Sequence, residues 1–91
     1  MDTSKLSEKL NNLRGLDFEL AETQERVAGN NFPDVTFTKS FQARLAAQAL
    51  EVPVADIKEL PLKKYNQVCG TVFNFLFTSS GDETPLTNSA V

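Results

Sequence analysis

The run Val52-Pro53-Val54-Ala55-Asp56-Ile57-Lys58-Glu59-Leu60-Pro61-Leu62-Lys63-Lys64-Tyr65-Asn66-Gln67-Val68-Cys69-Gly70-Thr71-Val72-Phe73-Asn74-Phe75-Leu76-Phe77 decides the fold. Its second half places Leu62, Tyr65, Val68, Cys69, Val72, Phe73 and Leu76 at the three-and-four spacing of an α-helix. At about 100° per residue, the apolar side chains from Phe75 and Val68 round to Phe77 span about 200° of the circumference, roughly twice the stripe one core-facing helix needs. Either this is the central helix, wrapped by its own chain, or the flanks carrying Phe73, Phe75 and Phe77 meet another polypeptide. A 91-residue chain has little of its own to wrap with, because small domains bury a smaller share of their surface.

Working outward, Pro53 fits the first turn of a short helical piece from Val54 to Leu60, and Pro61 interrupts it and starts the last helix. The two prolines bracket a rigid corner. Ahead of it, Thr38 or Ser40 can cap a helix with Phe41, Leu45, Ala46, Ala49 and Leu50 on one side and Gln42, Arg44 and Gln48 elsewhere. Its alanines let another helix approach closely.

Phe32-Pro33-Asp34-Val35-Thr36-Phe37-Thr38 reads as an extended loop, since Pro33 and its β-branched neighbours disfavour helix and no partner strand is evident. Phe32 and Phe37 are expected to pin that loop onto the core. Further upstream, Asp2, Thr3 and Ser4 offer caps for a first helix carrying Leu6, Leu10 and Leu13, stopping at Gly15. A second runs from Leu16 to Ala28, with Asp17, Glu19 and Glu22 toward its positive end, and Gly29-Asn30-Asn31 stops it. Leu6, Leu13, Leu20 and Val27 fall seven apart, but Asp17 and Gln24 spoil the seam that one long coiled-coil helix would need.

The expected architecture is all-α: one domain over residues 1–78, a bundle of about four helices with the Pro-bracketed corner. Residues 79–91 are polar and acidic with a lone Leu86, too little apolar area to offset their ordering entropy, so a flexible tail is expected.

The chemistry that is missing narrows the function. With no His and one Cys, the commonest general base and the ordinary zinc sites are out of reach, and the single Cys69 sits within the apolar pattern as a small hydrophobe. The carboxylates Asp17, Glu19, Glu22 and Glu25 read as solubilising charges. There is no Gly-rich phosphate loop. Gly70 lies inside the last helix, where it lowers stability unless a neighbouring helix packs close. A net charge of −3 argues against nucleic acid, and no run is long and apolar enough for a membrane span. The expectation is a cytosolic binding protein with no catalytic residues, metal or cofactor.

Two stretches carry a family likeness: Phe41-Gln42-Ala43-Arg44-Leu45-Ala46-Ala47-Gln48-Ala49-Leu50-Glu51-Val52-Pro53 with its continuation Leu60-Pro61-Leu62-Lys63-Lys64-Tyr65, and Val72-Phe73-Asn74-Phe75-Leu76. A helix ending in small residues, a Val-Pro corner, a Leu-Pro step, an aromatic shortly after and a Phe-Leu close together resemble the tail assembly chaperones of long-tailed, siphovirus-type bacteriophages. Asp17-Phe18-Glu19 and Gly29-Asn30 are similar as well, so the likeness covers about Leu16 to Phe77; Lys64 departs from it, standing where the family commonly has Asp.

The resemblance implies a small helical protein that binds the tape measure protein in the infected bacterial cytoplasm, keeps it soluble, and is missing from the mature virion. It also implies a homo-oligomer and a longer frameshifted C-terminal form that would meet the tail tube protein. For an apolar helical client, the expected contact residues are Phe73, Phe75, Leu76 and Phe77, with Phe41 and Leu45 as the other wall. The alternatives are a small helical interaction adaptor and a minor structural head or tail completion protein.

Overall fold

A computed structural model describes residues 3–77; the expected tail, 79–91, lies outside the described residues. Among the described residues there are five α-helices, one 3₁₀ turn and no strand, so the chain is all-α as its periodicity implies. The helix Lys39–Leu50, α3, holds the centre. It packs against α1 (Leu6–Leu10), α2 (Gly15–Val27), the 3₁₀ turn Val35–Phe37, α4 (Val54–Lys58) and α5 (Leu62–Phe77).

The central position falls to α3 because of its side chains. Ala43, Ala46, Ala47 and Ala49 are all buried, and each lets a neighbouring backbone come close, while Phe41 and Leu45 fill the larger gaps. Phe41 is fully enclosed and meets Phe18 of α2 edge-on, ring centroids 5.2 Å apart. The long apolar helix α5 lies at the periphery instead, burying only Val68, Cys69 and Val72. Its wide apolar arc is therefore not a sign of central position.

Local signals set the helix ends. The Thr38 hydroxyl accepts the Phe41 N–H at 3.3 Å and caps α3. The first helix stops at Leu10, earlier than Gly15; Gly15 instead opens α2, where the Asp17 carboxylate accepts the Arg14 N–H at 2.8 Å. The break between Leu10 and Gly15 rules out a single long helix. Pro53 and Pro61 bracket α4 as expected, and the Pro61 carbonyl accepts the Tyr65 N–H at 2.8 Å to start α5.

Two helices end in the same left-handed hook. After α2, Gly29 has φ +107°, with Asn30 N–H bonded to the Glu25 carbonyl at 3.1 Å and Gly29 N–H to that of Arg26 at 3.0 Å. After α3, Glu51 has φ 61°, with Val52 N–H bonded to the Ala47 carbonyl at 3.0 Å and Glu51 N–H to that of Gln48 at 3.3 Å. This six-to-one and five-to-two bonding favours glycine at the hook, since any side chain there crowds its own carbonyl. Only the first hook has one.

The polar residues of α3 are matched rather than solvated. Gln42, 4% exposed, donates to the Thr36 carbonyl at 3.0 Å, and Gln48 donates to that of Asp17 at 2.8 Å. Glu25 of α2 is 2% exposed; its carboxylate accepts from Arg44 Nε at 2.9 Å and from Asn30 Nδ2 at 2.8 Å. Burial pushes the Glu25 carboxyl up, but hydrogen bonds from Ser40, Arg44 and Asn30, together with the Arg44 charge, outweigh it and hold the group below the ordinary range. This network ties α2 to α3, and Lys58 extends it toward α4 by donating to Ser40 Oγ at 2.9 Å.

Two predictions follow from the hooks and the network. Glu51→Gly raises stability by about 0.5–1 kcal/mol while Gly29→Ala lowers it by about 1 kcal/mol, both read from urea unfolding midpoints. Because the folded-state value of Glu25 is depressed, its contribution is present above the unfolded value near ~4.3 and is lost as pH falls through the folded value. Acid unfolding of Glu25→Gln should accordingly show a shallower limb below that pH, and Arg44→Ala should lose about 3 kcal/mol at neutral pH by stranding a buried charge.

Candidate interaction surface on the last helix

From Tyr65 to Phe77, α5 carries no charged residue on any face. With Val68, Cys69 and Val72 turned to the core, its outward face presents Asn66, Gln67, Phe73, Asn74 and Phe77, all exposed. The usual surface helix puts charges there. Phe73 and Phe77 are 39% and 42% exposed and their rings lie 4.9 Å apart. Phe37, from the 3₁₀ turn and 55% exposed, stacks on Phe77 at 4.9 Å with an interplanar angle of 9°. Three rings from two elements thus form one open aromatic ledge.

Of the six expected contact residues, the ledge contains Phe73 and Phe77. Phe75 is exposed but projects from the opposite flank of α5, two residues and about 200° from both rings, and Leu76 is half-buried against the core. Phe41 and Leu45 are corrected: at 0% and 2% exposure they belong to the core and form no wall of an open groove. They were assigned to a surface on the premise that α3 has one apolar side, whereas it is covered nearly all round.

Phe37 takes the place of that wall, and the expectation that Phe32 and Phe37 pin the loop to the core is also corrected. Val35 is the residue that is fully buried; Phe32 and Phe37 are both more than half exposed. In an extended segment Val35 and Phe37 would share a face, but at three residues per turn they diverge. Asp34 starts that turn by accepting the Thr36 N–H at 3.1 Å. An Asp three residues before a Phe, ahead of a Thr cap, was the available signal. The Arg26 guanidinium holds the preceding loop, donating to the carbonyls of Asn30, Phe32 and Pro33 at 3.2, 2.6 and 3.1 Å.

Gly70 differs from expectation as well. A Cβ built there meets nothing within 4 Å, so no helix of this chain packs against it. It lies in an open cleft bounded by Thr3 and Leu6 on one side and Gln67, Thr71 and Asn74 on the other. Nothing in this cleft or the ledge is set up for bond making. Burial pushes the Cys69 thiol up, and Tyr65 is pushed up to about 12 chiefly by burial, so both keep their protons at neutral pH. Among the described residues no cluster of His, Cys, Asp and Glu could hold a metal ion, and no helix is long and apolar enough to cross a membrane.

Comparisons with protein-family models, with curated proteins and with solved structures find no match to this chain.

Phe37→Ala and Phe77→Ala should each reduce the fluorescence of an apolar dye bound to the folded protein while shifting the unfolding midpoint little, because half-exposed rings contribute little to the core. Phe41→Ala, by contrast, should lose about 3–5 kcal/mol in the same unfolding assay.

Proposed function

We propose that this chain is a tail assembly chaperone of a long-tailed bacteriophage, binding the helical tape measure protein through α5 and acting by association alone. The observation that carries the reading is the aromatic ledge of Phe37, Phe73 and Phe77 on a helix face without charges. An amphipathic client helix recognised through its apolar stripe needs such a surface, and ordinary monomers avoid it because it promotes aggregation. The motifs from Leu16 to Phe77 that resemble this family supply the identity of the client.

In this reading the chaperone works in the cytoplasm of the infected host, shields the client until tube subunits take its place, and does not remain in the virion. Many weak ledge contacts along one long client would add up through multivalency. A helical adaptor that docks on folded domains is the second reading, and the same exposed ledge would serve it.

Coexpression with the tape measure protein of the same phage separates the two. The expected result is a soluble complex that elutes together on sizing, and at least tenfold less soluble client when Phe73→Asp replaces the wild-type chain. An insoluble client in both cases contradicts the proposal.

A further inference from the structure

The outward face of α5 matches itself in reverse. Reading along the helix, Leu62, Asn66, Gly70, Phe73 and Phe77 recur at spacings of four and three and fall within about 80° of one another at ~100° per residue. Leu62 is 74% exposed, and a Cβ at Gly70 would meet only open space. When this stripe is laid antiparallel on a copy of itself with the crossing at Gly70, Leu62 falls opposite Phe77 of the second copy and Asn66 opposite Phe73. We propose that α5 pairs antiparallel with α5 of a second copy, crossing at Gly70, to form a two-fold dimer.

Gly70 gives this arrangement its closeness. A mid-helix glycine lowers helix stability relative to alanine, and no contact within the subunit accounts for it. At the crossing of two helices the missing side chain lets the backbones approach. Charge selects the direction: antiparallel pairing sets the exposed Lys63 of each copy beside the negative C-terminal end of the other α5, whereas parallel pairing would set Lys63 against Lys63. The facing half, Tyr65 to Phe77, has no charge to desolvate.

The area fits a second copy of modest affinity. At about 200 Å² per buried aromatic side chain, the exposed fractions of Phe37, Phe73 and Phe77 amount to roughly 270 Å² per subunit. Two copies supply about half of the ~1,000 Å² that a specific association requires, and Leu62, Asn66 and Gln67 flank it on both sides. The pair would cover the ledge in the absence of a client, and it stands on the geometry of α5 whether or not the client reading holds.

Sedimentation velocity on the isolated full chain tests it. The expected result is a reversible monomer–dimer equilibrium in the micromolar range. Gly70→Leu should weaken it tenfold or more without lowering the thermal midpoint of the monomer, because the new side chain meets nothing in its own subunit. Orientation is read by mixing Asn66→Cys with Phe73→Cys chains under oxidation: the mixed disulfide should dominate over Asn66→Cys with itself, whose positions lie about 12 Å apart along the pair. A monomer throughout, a dimer indifferent to Gly70→Leu, or preferential self-linking of Asn66→Cys overturns the proposal. None of these outcomes alters the coexpression result, so failure of the pair and failure of the client reading are told apart.

Discussion

The close seating of α3 among the other elements is the constraint on which the rest depends. A helix can be covered nearly all round in so short a chain only if its side chains are small, and Ala43, Ala46, Ala47 and Ala49 meet that condition. Covering α3 uses the inner faces of α1, α2, α4 and α5 at once. Nothing of the described chain is then left to lie over the outer face of α5. The exposed rings of Phe73 and Phe77 are in this sense a consequence of how the core is built.

Close packing also dictates what happens to polar groups. Arg44 and Gln42 lie on a helix with almost no solvent face, so each must find a partner inside, and the partners are Glu25 and the Thr36 carbonyl. A buried ion pair adds little net stability compared with an apolar filling, but it penalises any other register of α2 on α3 because a misplaced Glu25 would be stranded. Its fourfold surroundings fix the rotation of α2, and that rotation turns Phe18 inward onto Phe41 while Leu16 and Leu20 stay exposed.

Much of this was legible in the sequence. The Thr38 cap, the Pro53–Pro61 corner, the Gly29 stop and the helical period of α5 are local signals, and each places its element within a few residues. What periodicity does not encode is which helix the others surround. An amphipathic pattern counts apolar residues, so α5 looked greasier than α3, yet Ala is the residue that permits burial on all sides. The same limit hid Phe37, because two-residue alternation and a 3₁₀ turn share the letters Val-Thr-Phe and differ in where the third side chain goes. Phe73 and Phe77 were recoverable from the excess apolar width alone; their partner ring was not.

The most direct test of this account is fluorine NMR of the chain with all seven phenylalanines fluorinated, at a dilution where it is monomeric, with a soluble paramagnetic agent added. The account predicts strong relaxation at Phe37, Phe73 and Phe77 and none at Phe41. Protection of Phe73 and Phe77 to the level of Phe41 would contradict it, because the core would then enclose the rings that are here assigned to an open ledge.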